Sequence, residues 1–302
     1  MSPDLWIVVT VAAAFFQTLR FMVQKFLAAA TLSSTGATFA RFLYSAPLIA
    51  VLLGGYLLVM DHPVPVVRSV FWFFCAIGGI AQVLATVCIV HLFKMRNFAV
   101  GITLMKTEVI LSVLAGLIIL GEGVSLWAFA AIAFGLFGVL LLSSTPGSRG
   151  FDLRAALNGA MALGLVAGAL FAISGVCYRG ASLAVDAADP LIRAGTTLST
   201  VTMMQMFGMA LWLMLREPTQ IGAVWRARRI AVWIGLLSMA GSLGWFTAFT
   251  LQTAAYVKAV GQLELVLSLV ASVVFFREKI TLRELAGMAI LCVSILGLIL
   301  AV

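Results

Sequence analysis

Apolar residues in this chain come in long runs of one characteristic length rather than in an amphipathic rhythm. Ten runs of roughly 20 residues cover about 5–26, 36–59, 68–92, 98–120, 124–144, 155–178, 190–215, 229–253, 256–276 and 281–301. That is the length a helix needs to cross the hydrocarbon core of a bilayer. The connections are short, and six of the seven prolines fall in them or at helix starts. Pro47 alone sits in the middle of a run, where a kink is tolerated because neighbouring groups re-satisfy the freed carbonyl. The pattern predicts an all-α integral membrane fold of ten transmembrane helices. The most polar connection, Ser143 to Arg154, separates helices 1–5 from helices 6–10.

The two sets of helices echo each other. At a constant offset of 156, Glu108 falls on Glu264, Ser112 on Ser268, Ala115 on Ala271, Glu122 on Glu278, Ser125 on Thr281 and Leu126 on Leu282. Leu, Val and Ala pairs coincide cheaply in such a sequence, but two glutamate pairs and a serine pair at one offset do not. Upstream, Gln82 maps to Ser238 and Thr86 to Ser242, while Arg41 maps to Arg193 at an offset of 152. The chain reads as a duplication, with residues 1–146 as the first repeat and 147–302 as the second. Because five is odd, the second copy enters the membrane in the opposite sense. Two inverted five-helix repeats are an architecture in which a substrate site lies near the midplane between the copies.

Composition narrows the class. The chain is 63% hydrophobic and 10% charged, with a mean hydropathy of +1.16. An average globular domain carries about 25% charged residues, so this is a multi-pass protein of the cell membrane, the inner membrane if bacterial. The first run is too long for a signal-peptide core, holds Arg20 and Lys25 and lacks a convincing cleavage site, so it is expected to be retained. The net charge of +8 sits in short loops, where it sets topology and meets lipid headgroups rather than nucleic acid. Cys75, Cys88, Cys177 and Cys292 lie in apolar runs at no metal spacing and read as packing residues. No metal site, cofactor or catalytic constellation is expected: His62 and His91 form no cluster, and HExxH, GxSxG and phosphate-loop motifs are absent from the sequence. An integral-membrane enzyme is therefore disfavoured. The expected partners are a small-molecule substrate and the lipid bilayer, with a homodimer left open.

Polar residues inside the runs form stripes. Gln17, Arg20 and Gln24 share one face of helix 1, and Ser238, Ser242, Trp245 and Phe249 form a mixed stripe on helix 8. A carboxylate at bilayer depth costs about 2.5–3.5 kcal/mol on insertion scales and normally faces protein or a water-filled cavity. The expected substrate-binding residues are Gln17, Arg20, Glu108, Ser238, Ser242, Trp245 and Glu264, with Glu264 as the proton-coupling group and Glu108 as a substrate contact. For Arg20, a substrate anion and a buried glutamate are equally good partners. Arg41 and Arg193, at helix starts, read as headgroup anchors or loop braces. Lys258 reads as snorkelling to the interface, and His91 as interfacial. Lys106 and Glu108, about 200° apart around a helix, are not expected to pair. Glu122 and Glu278 read as favouring the following helix N-terminus through its dipole. Gly164 with Gly168, Gly135 with Gly138, and Gly287 with Ser294 read as close helix-packing positions.

Ten short-looped helices in two inverted halves resemble the drug/metabolite transporter superfamily, in its EamA-type branch. So do the closing FFREKITLRELAG, its first-half echo LGEGVSLWAF, and TFARFLYSAPLIA of helix 2. That family often has proline directly after the two glutamate positions, where this chain has Val109 and Leu265, which predicts straighter helices 4 and 9. The resemblance implies a secondary transporter, usually an exporter. Joined to the mixed buried charges, it predicts export of a small polar or zwitterionic, amino-acid-like metabolite by alternating access with proton coupling. A cationic multidrug efflux carrier and a non-catalytic lipid-flippase component are the alternatives. Counted by side, twelve loop Lys and Arg residues follow the odd-numbered helices, against Arg68 and Arg179 on the terminal side. The positive-inside rule then places both termini outside the cytoplasm, whereas the family habit is termini inside.

Overall fold

A computed structural model of the chain describes residues 5–30, 32–95, 105–143, 159–275, 277 and 282–300. The helices are α1 (Leu5–Ala30), α2 (Ser34–Val59), α3 (Val70–Met95), α4 (Glu108–Leu120), α5 (Leu126–Ser143) and α6 (Gly159–Leu183). They continue with α7 (Pro190–Arg216), α8 (Pro218–Arg226), α9 (Arg228–Leu251), α10 (Ala254–Val260), α11 (Leu263–Val274) and α12 (Leu282–Leu300). Two-residue strands β1 (Val66–Val67) and β2 (Val185–Asp186) pair antiparallel. The linker around residues 144–158 and the Glu278–Thr281 echo of Glu122–Ser125 lie outside the described residues.

Among the described residues seven stretches are long and apolar enough to cross a membrane: those within α1, α2, α3, α6, α7 and α9, and the α10–α11 stretch. Their outward faces carry Val8, Phe15, Phe26, Leu58, Trp72, Phe73 and Phe207, all exposed. A soluble protein does not leave such a belt in water, and the chain is a multi-pass membrane protein. The polar stripe of α1 points the other way, with Arg20 and Gln24 buried. Helix α2 runs through Pro47 without interruption.

The helices of the first five runs pack mainly on helices of the last five: α3 lies along α6, α1 along α9, α5 along α12, and α2 along α7. Polar clasps fix the last pair. Ser33, the N-cap of α2, donates to Glu217 at 2.7 Å and Thr35 does so at 2.8 Å, beyond the end of α7. At the far end of α2, Tyr56 donates to Asp189, the N-cap of α7, at 2.7 Å. Helices α2 and α7 therefore run antiparallel. Helices α5 and α12 do too: Ser294 donates to the Ala131 carbonyl at 2.6 Å, and a Cβ at Gly138 would lie 2.7 Å from the Gly287 carbonyl. Glycine at 138 is what lets these backbones approach so closely.

At the two glutamates the regular α-helix is interrupted. The second is broken: α10 ends at Val260, Gly261 and Gln262 intervene, and α11 starts at Leu263. In the first half, Met105–Thr107 form a single 3₁₀ turn before α4 begins at Glu108. Helix α4 has 13 residues, about 20 Å at 1.5 Å per residue, too short to span by itself. It ends where Gly121 adopts φ +68° and caps the Leu117 carbonyl at 3.2 Å, a left-handed turn that glycine makes without a Cβ penalty.

Candidate functional site

Both breaks come together in the interior, and both carry charge. Lys106, in the 3₁₀ turn, donates to Glu264 at 2.5 Å; Lys258, in α10, donates to Glu108 at 3.0 Å. Each lysine thus reaches the glutamate of the other half. The four side chains are 0–8% exposed, with Glu264 at 0%. Two charges so deeply desolvated hold only because each finds an opposite charge with good geometry. Gln17 of α1 completes the shell of Glu264, donating to it at 3.2 Å.

The structure gives each of these polar residues its partners, some as expected and some not. Glu264 has no open carboxylate: Lys106 and Gln17 hold it. Lys106 and Glu108 do approach, at 3.6 Å, because the 3₁₀ turn advances about 120° per residue instead of about 100°. Lys258 is buried rather than snorkelling, since α10 stops short and its ammonium sits 5.3–5.8 Å from the rings of Trp245, Phe171 and Phe249. Arg41 reaches no headgroup: it is 3% exposed and donates to Ser238 at 2.7 Å, Ser242 at 3.1 Å and Thr86 at 3.3 Å. Arg193 is a loop brace, donating to the Ser182 carbonyl at 3.0 Å. Glu122 accepts from Arg179, whose single Nε–H is shared by the two carboxylate oxygens at 2.6 and 2.8 Å. Ser112 and Ser268 bond the backbone carbonyls of Glu108 and Leu265.

Beside the crossed pairs lies a cavity lined by Gln17, Gln82, Met105, Glu108, Phe171, Ser174, Gly175, Tyr178, Ser242, Trp245, Phe246, Phe249 and Lys258. About 20 Å³ of it is open to a water-sized sphere, room for a water or two. Of the residues expected at the site, Gln17, Glu108, Ser242 and Trp245 line this cavity. Ser238, Arg20 and Glu264 stand behind it. Arg20 is buried, bonds Gln24 at 3.2 Å, and lies over the Phe21 ring at 4.1 Å. The wall residues not singled out from sequence include Tyr178, which donates to Gln82 at 2.9 Å and stacks on Phe246. A tyrosine hydroxyl and a glutamine amide in the middle of apolar runs were the available signals.

Small residues shape the wall. A Cβ at Gly261 would fall onto the Trp245 indole, and one at Gly175 would press on the Lys258 chain at 3.2 Å. Gly168 faces the Met105 carbonyl and Thr107, so α6 can lie against the first break. Among the described residues no group of three or more His, Cys, Asp or Glu side chains could hold a metal ion.

Comparison with known proteins agrees with this architecture. None of the curated proteins matches the chain. Twenty-four chains of solved structures match in fold. One, described only as a crystal structure of a protein, superposes with a TM-score of 0.68 at 15% identity over 98% of this chain and 96% of that one; at that identity the likeness concerns the fold alone. The model of the EamA-like transporter family matches residues 158–300. Over these residues the chain is similar to the EamA-like transporters, consistent with the drug/metabolite transporter superfamily.

Proposed function

We propose that the chain is a secondary-active transporter that exports a small polar or zwitterionic metabolite by alternating access, with residues 1–146 and 147–302 as two inverted repeats. The observation that carries this reading is the crossing of the charge pairs: Lys106 to Glu264, and Lys258 to Glu108. Interrupted helices whose ends carry charge beside an interior cavity are how transporters build a site at mid-depth. Reciprocal contacts support the inverted repeat. At the offset of 156, Ala131 corresponds to Gly287 and Gly138 to Ser294, and the contacts made are Ala131 with Ser294 and Gly138 with Gly287. Two elements related by a two-fold axis touch in this reciprocal way.

The glutamates divide the work. Glu108 lines the cavity and meets substrate; Glu264, behind it, exchanges a proton with Lys106 and Gln17 as its partners. Protonating Glu264 removes the charge that Lys106 binds and so loosens the two halves. A cationic drug suits the cavity less well, because the faces of Trp245, Phe249 and Phe171 are already turned to Lys258.

The test is flux into proteoliposomes of purified protein, with and without a pH gradient. Glu264→Gln is expected to abolish gradient-driven uptake while substrate exchange at equal pH continues; Glu108→Gln is expected to weaken substrate binding itself. Normal pH dependence in Glu264→Gln would reduce the carboxylate to a packing role.

A further inference from the structure

The buried charges do not cancel. Among the described residues the buried ionic side chains are Arg20, Arg41, Lys106 and Lys258 against Glu108 and Glu264. Four cations and two anions leave a surplus of two positive charges. The two lysines and two glutamates pair with one another, so the surplus resides on the two arginines.

Neither arginine has a carboxylate within ion-pair distance among the described residues. Arg41 is solvated by three hydroxyls and Arg20 by one amide. A guanidinium keeps its charge in proteins, and neither the hydroxyls on Arg41 nor the amide on Arg20 supplies a counter-charge. A buried cation without a counter-charge is costly and marks a functional position at membrane depth.

The arginines stand directly behind the cavity wall. Ser242, which Arg41 holds, lines the cavity, and Gln17 lines it one helical turn from Arg20. The wall itself offers a second signal. The indole Nε1 of Trp245, in a residue 7% exposed, has no hydrogen-bond partner. That N–H is a donor only and accepts nothing but an acceptor-bearing ligand.

We infer that the cavity, which in this closed form has room for only a water or two, opens to take a small organic anion of net negative charge, whose carboxylate or similar group accepts from Trp245 and offsets the surplus of Arg20 and Arg41. This rests on the transporter reading for the identity of the site and narrows its substrate to polar metabolites of net negative charge, in place of a zwitterion. A neutral zwitterion would leave the surplus in place, and a cation would add to it.

Three probes with the same four-carbon chain test this: succinate, 4-aminobutyrate and 1,4-diaminobutane, added at equal ionic strength to the purified full chain in detergent. Ligand that binds only the folded state raises its thermal midpoint. Succinate is expected to raise it saturably and the other two are not. Arg41→Gln and Trp245→Phe should each weaken the apparent succinate affinity by about tenfold or more, the loss of a hydrogen bond to a charged group. Ser238→Asp places a carboxylate beside Arg41, and should raise the ligand-free midpoint while flattening the succinate response. If Arg41→Gln does not fold, Trp245→Phe, which keeps a ring in place, and Ser238→Asp decide the matter. An equal rise with 4-aminobutyrate or 1,4-diaminobutane, no rise with any probe, or a succinate response untouched by these variants overturns the anion site. Counterflow of the labelled probes in proteoliposomes separates the two layers. Succinate binding without flux would sink the transporter reading and leave the site; flux of 4-aminobutyrate or 1,4-diaminobutane without succinate would do the reverse.

Discussion

Lys106→Met is the most informative single change in the interior. The ammonium lies 2.5 Å from Glu264 and 3.6 Å from Glu108. At an effective dielectric of about 20 these contacts amount to roughly 7 and 5 kcal/mol of Coulomb attraction. Removing the lysine also removes its own desolvation cost, several kcal/mol, so the net loss is far below that sum. What remains is Glu264 with only Gln17 as partner, facing a Glu108 that Lys106 no longer screens. One orphaned partner of a buried pair typically costs 3–5 kcal/mol, and that is the expected destabilisation. Replacing both partners, Lys106→Met with Glu264→Leu, removes the orphan and should recover roughly 2 kcal/mol or more of it. The assay is reversible unfolding in mixed micelles, followed by helical circular dichroism, on the native chain, both single variants and the double. A Lys106→Met chain within about 1 kcal/mol of native, with no coupling in the cycle, would mean that Glu264 is already neutral in the folded protein. The crossed-pair argument would then fail.

Other outcomes follow from single contacts. Gly261→Ala drives a Cβ into the Trp245 ring; overpacking of this kind costs about 1–3 kcal/mol, and a shifted Trp245 emission spectrum would report it. Arg179→Met should destabilise more than Glu122→Gln, because Arg179 also donates to the carbonyls of Phe249 at 2.8 Å and Gln252 at 2.9 Å at the end of α9. Equal losses from the two variants would show those carbonyl bonds to be idle. Cysteines introduced at Ala131 and Ser294 should cross-link under mild oxidation, while cysteines at Ala131 and Gly138 together should not; failure of the first pair would refute the antiparallel packing of α5 on α12.

Much of this molecule was legible in its sequence because lipid simplifies the code. Apolar run length marks the membrane helices, and charge inside a run marks the interior, so α1, α2, α3, α6, α7 and α9 follow from pattern alone. The polar stripes of Gln17 and Arg20 and of Ser238 and Ser242 were visible for the same reason, since no other face can take them. The breaks were not. Gly261 is a weak signal in a helix of this kind, and neither Val109 nor Leu265 announces a discontinuity. The lysines were misjudged too: a place near the start of a run suggests a membrane surface, whereas Lys258 is buried against Glu108. Arg41 was misplaced because a position near a helix start suggests a headgroup, and only the fold shows three hydroxyls from α3 and α9 waiting for it. Which residues of one half meet which of the other is a matter of packing that no periodicity records.

The two halves do not spell the crossed pair in the same way. Lys106 stands two residues before Glu108, while Lys258 stands six before Glu264, and the interruption at Gly261 and Gln262 takes up the difference. In the proposed inverted repeat, two exact copies would make the inward-facing and outward-facing forms equivalent by a two-fold rotation and so equal in energy, each holding half the population. Here one arm of the cross is a tight turn and the other a jointed rod, so the degeneracy is lifted. On the proposed transport cycle, the resting orientation of the empty protein is then written into the chain itself, before any gradient or solute acts on it.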